Sequence, residues 1–229
     1  MVKIRPASGG GRIVEVEPER LPKWVANFAA RNGGIAGHHA EGDAWTIESN
    51  EGPSAGLGEL ASRKSAQVTW ALAGGLPSSW LLDADPVTAA EHLRDYALEP
   101  RRIAVLLARK GAYSVGIVED GRVKVSKTDT AYVQGTTKAG GQSQQRFARR
   151  REGQAKAAEK RAREAVFAVL GNAAFDALVT GGPVEGILED PRLAELRPAV
   201  HFGDIAEPKA VLLTETAYRA IGFRVRLPQ

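Results

Sequence analysis

The 229-residue sequence contains no cysteine. Disulfide bonds, cysteine-ligated zinc, iron–sulfur clusters and thiol nucleophiles are therefore excluded. Long apolar runs are also missing, because residues 103–108 and 165–170 are far shorter than the roughly 20 residues of a membrane-spanning helix. Residues 1–6 lack the apolar core of a signal peptide. These absences favour a cytoplasmic protein with no membrane partner.

Nitrogen ligands for metals are scarce, because the chain has only four histidines. His38 and His39 lie in a Gly-rich segment that reads as a loop, with no acidic or histidine partner at a recognisable ligand spacing, so surface exposure is favoured. Glu119, Asp120 and Asp129 form a candidate carboxylate cluster for magnesium, but the first two lie at an Asp-Gly hairpin turn. The sequence therefore predicts no metal site and no cofactor.

The first part of the chain, residues 1–99, has the pattern of a small α+β lobe. Its predicted strands are residues 12–16, 44–48 and 67–72. One helix begins at Pro18 or Pro22, and a second has Asp85 as N-cap and ends before Pro100. All four tryptophans lie in this part, which predicts that it has a core of its own. Its role is not evident from the sequence.

The second part, residues 100–229, predicts an α/β domain (an α+β mixed sheet). Three strand-like runs predict an antiparallel meander: residues 102–107, 113–118 and 122–133. A loop, residues 134–141, then leads into a long helix from Ser143 to about Leu170. The apolar positions of this helix that can face a core are Phe147, Ala158, Ala162, Ala165, Val166 and Val169. A strand at 175–180, short helices up to Leu196, a helix at 208–220 and a strand at 223–227 complete the domain.

Positive charge is concentrated in one segment of this second part. Residues 138–163 contain nine basic and two acidic residues, a net charge of +7 in a chain whose total is +4, so the remainder carries −3. Such a localised excess is typical of a surface that binds a phosphate backbone.

A Gly-Gly-Gln motif lies at the start of this basic segment. Gly140 and Gly141 allow close approach to a substrate, and the amide of Gln142 offers donors and an acceptor that orient water or a ribose hydroxyl. Glutamine is not an ordinary general base, so a site built on it works by positioning and electrostatic stabilisation on an ester or phosphodiester. Taken alone, the motif is equally compatible with a turn, a helix capped by Ser143 and a solvated basic face.

The flanking residues make the motif more specific. Residues 140–143 (Gly-Gly-Gln-Ser) followed by 146–149 (Arg-Phe-Ala-Arg) resemble the peptidyl-transferase-centre motif of the eukaryotic and archaeal class I peptide release factors. The stretch that begins at 132–135 (Tyr-Val-Gln-Gly) is more similar still to the bacterial branch of the Vms-like release factors, which are described as peptidyl-tRNA hydrolases. The similarity is dense over about twenty residues and extends as an order of elements over residues 100–229.

The resemblance implies a fold, partners and a set of site residues. The fold is the release-factor middle domain, a mixed sheet with flanking helices related to ribonuclease H. The partners are the large ribosomal subunit, ribosomal RNA and peptidyl-tRNA. The implied catalytic residue is Gln142, with Gln144 as the alternative because Vms-like members often place the glutamine after a serine. The remaining implied residues are Gly140, Gly141 and Ser143 in the catalytic loop, and Lys138, Arg146, Arg149, Arg150 and Arg151 for RNA binding.

Three functions remain compatible with this sequence. The first is hydrolysis of the peptidyl-tRNA ester, the second is cleavage of the tRNA near its CCA end, and the third is a non-catalytic ribosome-binding or RNA-binding module. Stop-codon termination requires a decoding domain for which no segment is evident, so ribosome rescue is the expectation. The glycines of residues 134–142 further predict a loop that is poorly ordered in the free protein.

Overall fold

A computed structural model describes residues 3–7, 10–50, 64–70, 72, 78–109, 111–130 and 142–228. The chain forms two compact units, the first from Met1–Glu99 with Arg219–Gln229 and the second from Pro100–Tyr218. The predicted loop over residues 134–141, including Lys138, Gly140 and Gly141, lies outside the described residues, and so does the expectation about its order.

The secondary structure alternates short strands with helices. The strands are β1 (Lys3–Pro6), β2 (Arg12–Val16), β3 (Ile35–Glu41), β4 (Ala44–Ser49), β5 (Ser65–Trp70), β6 (Arg102–Arg109), β7 (Ala112–Glu119), β8 (Arg122–Thr130), β9 (Ala177–Gly181), β10 (Pro198–Phe202) and β11 (Phe223–Leu227). The α-helices are α1 (Leu21–Arg31), α2 (Ser78–Leu81), α3 (Pro86–Ala97), α4 (Gln142–Leu170), α5 (Glu185–Leu188) and α6 (Ala210–Ala220). None of the helices in the described ranges is long and apolar enough to cross a membrane.

The first unit is built on a six-stranded antiparallel sheet in the order β1-β2-β11-β5-β4-β3. Alternating residues of its strands are buried, among them Val14, Val16, Trp45, Ile47, Val68, Trp70, Phe223 and Val225. The ring of Tyr96 on α3 contacts that of Trp70 on β5 at 5.0 Å, so α3 packs against this sheet. The predicted core of this part is therefore present, and α1 also contacts α3.

Capping explains why α3 begins where the sequence predicts. The carboxylate of Asp85 accepts hydrogen bonds from the backbone N–H groups of Val87 and Thr88 at 3.0 and 3.2 Å. Pro86 takes the first helical position, where a missing N–H costs nothing. These contacts fix the first turn of the helix.

The segment with His38 and His39 is a strand, whereas the sequence predicted a Gly-rich loop. In β3 these residues lie opposite Ile47 and Thr46 of β4. The strand forms through this pairing, and its sequence has no clear alternation of apolar and polar residues that would reveal it. His39 is exposed as expected, but His38 is half-buried.

The last strand belongs to a different sheet from the one that the sequence predicted. The sequence grouped residues 223–227 with the second domain, but β11 lies between β2 and β5 in the sheet of the first unit. Val225 is opposite both Val14 and Val68, so the strand fills the centre of that sheet. Alternation identifies a strand, but it does not specify which sheet the strand joins.

The second unit contains a five-stranded mixed sheet in the order β10-β9-β6-β7-β8. β6, β7 and β8 form the predicted antiparallel meander, joined at one hairpin by Asp120 and Gly121 with positive φ angles of 52° and 68°. β9 is parallel to β6, and β10 is parallel to β9. This confirms the predicted mixed sheet of ribonuclease-H-like type. β10 itself was not predicted, because Pro198 begins it and only five residues form it.

Helix α4 covers one face of this sheet. Its buried residues Ala162, Ala165, Val166, Val169 and Leu170 pack in one core with Tyr113, Val115 and Ile117 of β7. The predicted apolar positions from Ala158 onward are all buried, whereas the side chain of Phe147 lies outside the description. Gly116, which alternates with these β7 residues, lies under Leu213 of α6, so α6 covers the opposite face.

Two glycines of this unit have opposite surroundings, and we expect opposite effects of adding a methyl group. A Cβ at Gly153 in α4 has no atom within 4 Å, so Gly153→Ala is expected to raise the free energy of unfolding by about 0.5–1 kcal/mol through helix propensity. A Cβ at Gly116 would lie 2.7 Å from the carbonyl oxygen of Val125 and 2.8 Å from Leu213 Cδ1, so Gly116→Ala is expected to cost about 1–3 kcal/mol. Denaturant unfolding of both variants measures these values, and a destabilised Gly153→Ala protein would contradict the first.

Candidate functional site

The first half of α4 extends beyond the core of its unit. The first buried side chain that is described in this helix is Ala158, and no described side chain of residues 142–157 is buried. At about 1.5 Å per residue, these residues form an extension roughly 24 Å long. We call residues 142–157 the arm.

The second half of α4 is held in place by polar contacts in addition to its core. Arg161 Nε donates to Asp129 Oδ2 of β8 at 3.1 Å, and Arg163 NH2 donates to the carbonyl oxygen of Gly186 at 2.7 Å. Burial raises the pKa of Tyr113, beside Asp129, so this phenol remains protonated under ordinary conditions. No sequence pattern links residue 129 to residue 161, and the pair was not predicted.

A further cluster around Arg192 holds the C-terminal half of the same helix in place. The guanidinium donates to Glu164 on α4 at 2.8 and 3.2 Å and lies 4.9 Å from the ring centre of Phe167. It also donates to Asp190, and these hydrogen bonds lower the pKa of Asp190 to about 2. The direction of α4, and therefore of the arm, is set by these contacts and by the core.

The arginines of the arm differ from those of the packed half in how they are paired. In the packed half Arg161 and Arg163 form ion pairs with Asp129 and Glu159, and within the arm Lys156 pairs with Glu152 at 2.7 Å. Arg146, Arg149 and Arg150 are exposed, and within the described part of the chain they have no ion-pair partner. Three guanidinium groups of the arm are therefore available for external anions.

The beginning of α4 adds to this positive potential. The helix begins at Gln142, one residue earlier than predicted, and its first turn contains no acidic residue. The N–H groups of a first turn carry a partial positive charge that favours anions and developing oxyanions. Gln142 thus lies at the positive end of a 29-residue helix.

The other predicted site residues are only partly described. Ser143, Gln144 and Arg151 belong to α4 by their backbone, and their side chains lie outside the description. Gln142 and Gln144 are two residues apart in a helix, so their Cα atoms lie about 200° apart around its axis. The two glutamine positions are therefore distinguishable by substitution.

The three carboxylates considered for magnesium are not brought together. Asp129 lies opposite Tyr113 at one end of β7, and Glu119 lies at the other end, roughly 20 Å away at about 3.3 Å per residue. Glu119 also pairs with Arg102 at 3.6 Å. Within the described ranges, no group of three or more His, Asp or Glu side chains is placed to hold a metal ion.

The histidines form contacts of another kind. Nδ1 of His38 accepts a hydrogen bond of 2.9 Å from the indole N–H of Trp45, which is fully buried. Burial lowers the pKa of His38, which agrees with a neutral ring in this acceptor role. Nδ1 of His201 lies 3.0 Å from the hydroxyl of the buried Thr180. Both contacts stabilise their sheets, and they lie on separate sheets from each other.

Comparison with known proteins identifies the family of this chain. Archaeoglobus fulgidus Pelota is a solved structure with 12% sequence identity over 96% of this chain and 66% of that chain, at a TM-score of 0.28. The chain spans just under two thirds of the length of that Pelota. No curated protein matches the chain. A family model described as Actinobacteria/chloroflexi VLRF1 release factor matches residues 101–226, which is more than half of the chain. The chain therefore belongs to the Actinobacteria/chloroflexi VLRF1 release factor family.

Proposed function

We propose that this protein is a peptidyl-tRNA hydrolase that frees nascent chains on the large ribosomal subunit, as a cytoplasmic ribosome-rescue factor. The observation that carries the proposal is the arm, which starts at Gln142, exposes unpaired arginines and contributes no described side chain to the core. A helix that leaves its domain with its positive end forward suits delivery of a residue into a narrow site lined by RNA. Membership of a release factor family supports the same reading.

The chemistry of the site is assigned to Gln142 together with Gly140 and Gly141. The glutamine amide accepts from or donates to a water molecule or the terminal ribose hydroxyl, and so orients the nucleophile against the ester carbon. The water oxygen attacks the carbonyl carbon, the bond between that carbon and the ribose oxygen breaks, and a proton of the water passes to the ribose oxygen as it leaves. N–H groups of the first turn of α4 favour the negative charge that develops on the carbonyl oxygen.

Two alternatives use the same surface. In the first, the protein cuts a phosphodiester near the CCA end of the tRNA, and in the second it binds RNA without catalysis. The electrostatics of the arm fit all three functions, because each requires contact with the tRNA backbone. The products separate them: ester hydrolysis leaves an intact tRNA 3′ end, cleavage of the tRNA shortens it, and binding alone leaves peptidyl-tRNA unchanged.

The first test replaces each glutamine separately. We expect Gln142→Ala to abolish peptide release from peptidyl-tRNA on isolated large subunits, while the free energy of unfolding stays within about 0.5 kcal/mol of wild type, as for surface substitutions. Gln144→Ala is the matched control, because it removes the same amide two residues along the helix. Its release rate is expected to stay near that of wild type.

The outcomes of this test are distinct. Loss of release in Gln144→Ala alone would move the catalytic role to that residue, and full activity in both variants would contradict a glutamine mechanism. Gel analysis of the tRNA after labelling of its 3′ end shows in the same samples whether the ester or the RNA chain is cut.

The second test concerns the arginines of the arm. Arg146, Arg149 and Arg150 have i, i+3, i+4 spacing, so they share one flank of α4. We expect the triple alanine variant to bind large subunits more weakly at low salt. The slope of log affinity against log salt should fall in magnitude by roughly 2–3 if each arginine contacts one phosphate. Thermal unfolding should remain close to wild type, because alanine is a good helix former.

The control variant removes three exposed cations outside the arm: Lys23, Arg31 and Lys209. It loses the same net charge, so any difference between the two variants reports position and not total charge. Wild-type affinity and slope in the arm variant would identify the arm as a solvated surface and remove the main physical support for the proposal.

A further inference from the structure

The strand β8 is exposed although its neighbour in the sheet is buried. Val125 of β8 lies opposite Ile117 of β7 and shares its face, yet Val125 is 44% exposed and Ile117 is 1% exposed. Helix α4 therefore covers β7 but does not cover β8. The exposed face of β8 and the adjacent side of α4 together form a shallow edge, which we call the step.

A β-bulge in β8 places two basic residues on the same face of the strand, along this step. The pairing of β7 with β8 shifts between Ile117 and Val118, so that Lys124 is an extra residue without an opposite partner. Arg122 lies opposite Glu119, and Lys127 lies opposite Val115. Glu119 and Val115 alternate onto the face that α4 covers, so Arg122 and Lys127 lie on that same face.

The flank of α4 that faces β8 is identified by the contact of Arg161 with Asp129. Arg150 precedes Arg161 by eleven residues and therefore lies within about 20° of the same direction, roughly 16 Å closer to the start of the helix. Arg146 lies within about 60° of that direction. The arm thus carries two arginines on the side of the helix that faces β8.

The resulting band carries a net positive charge. Arg122, Lys127 and Arg150 are exposed, and the described residues provide no ion-pair partner for them. Of the acidic residues next to the band, Asp129 pairs with Arg161 and Glu119 pairs with Arg102, and Asp120 lies in the turn just beyond Arg122. With about 23 Å for the strand from Arg122 to Asp129 and about 16 Å for the helix, the band is roughly 40 Å long.

We propose that Arg122 and Lys127 of β8, together with Arg150 of the arm, form a track that binds the phosphate backbone of double-helical RNA. The track rests on the proposed function, under which the start of α4 reaches the 3′ end of a tRNA and the paired stem follows directly behind it. Binding of the stem along β8 orients the 3′ end toward Gln142.

Two observations favour paired over unpaired RNA. The cations stand on a strand and a helix, so their backbone positions are regular, which suits the regularly spaced phosphates of a duplex. Single-stranded RNA is commonly held by stacking of its bases on aromatic side chains. β8 contains no aromatic residue, and the arm contains one, Phe147, whose side chain lies outside the description.

A different role for these charges is protection of a sheet edge. Lysine and arginine on an outer strand prevent it from pairing with another molecule. Under that role, neutral variants would associate with one another, and their affinity for RNA would be unchanged. The two roles therefore predict different measurements.

The experiment uses the full chain and two double variants of equal net charge, Arg122→Gln/Lys127→Gln and the control Lys23→Gln/Lys209→Gln. Each is titrated with an RNA hairpin whose stem ends in a single-stranded CCA tail, and with the unpaired tail alone, over a range of salt concentrations. We expect the β8 variant to bind the hairpin more weakly than the control does, with a slope of log affinity against log salt smaller in magnitude by roughly 1–2. Binding of the tail alone should be unchanged.

The following results would overturn the track: no binding of the hairpin by the wild-type protein, equal affinity and slope in both variants, or equal losses for hairpin and tail. Self-association of the β8 variant with unchanged RNA affinity would establish edge protection instead. Release activity is measured separately, with the wild-type protein and Gln142→Ala, on a short 3′-end fragment without a stem. Failure of the hydrolase proposal would appear there, in the Gln142→Ala comparison, and would leave the hairpin binding result intact.

Discussion

Small side chains in the second half of α4 pack against β7, and the position of the arm depends on that contact. Ala162, Ala165 and Val166 bring the helix close to the sheet, and the Arg161–Asp129 and Arg192–Glu164 pairs prevent it from turning on its axis. A helix is stiff over its length, so a fixed second half also fixes the direction of the first. The residues that we propose act on RNA are therefore positioned by residues that never contact it.

This arrangement separates stability from the function that we propose along one continuous helix. The buried part supplies apolar contacts, and large-to-small changes there would cost several kcal/mol by the usual measure of about 2–5 for a buried aliphatic side chain. The arm has no buried described side chain, and its substitutions should change binding and catalysis with little effect on folding. Gly153 lies within the arm, at a position where alanine would fit without contact.

Much of this arrangement follows from the sequence, because its elements have strong local patterns. The meander, the long helix and its buried positions from Ala158 onward follow from alternation and from a period near 3.6, and Asp85 with Pro86 marks the start of α3 by local chemistry. Contacts between residues that are distant in sequence could not be predicted in this way. β11 joins the first sheet, β3 forms by pairing with β4, and Asp129 meets Arg161, and each of these depends on the assembled fold.

The candidate site was predicted from a motif and a charge excess, which specify residue types but no geometry. The structure adds the direction of the arm, the pairing of cations in the packed half and the absence of such pairing for the described arginines of the arm. It also separates Glu119 from Asp129, which are ten residues apart in sequence but lie at opposite ends of one strand pair. Whether residues ten apart meet depends on where the intervening turn falls, and here the turn at Asp120 places them far from each other.

The contrast in pairing between the arginines of the arm and Arg161 and Arg163 of the packed half has an energetic explanation. An exposed ion pair contributes only about 0–1 kcal/mol, so the arm loses little stability by leaving Arg146, Arg149 and Arg150 unpaired. A paired arginine must exchange its carboxylate before it binds a phosphate, whereas an unpaired one releases the counterions of the nucleic acid at no such cost. In the packed half the opposite holds, because Arg161 and Arg163 orient the helix only as long as their partners remain bound. Arginine therefore anchors the helix in the packed half and, in the function that we propose, binds RNA in the arm, and the carboxylates nearby determine which.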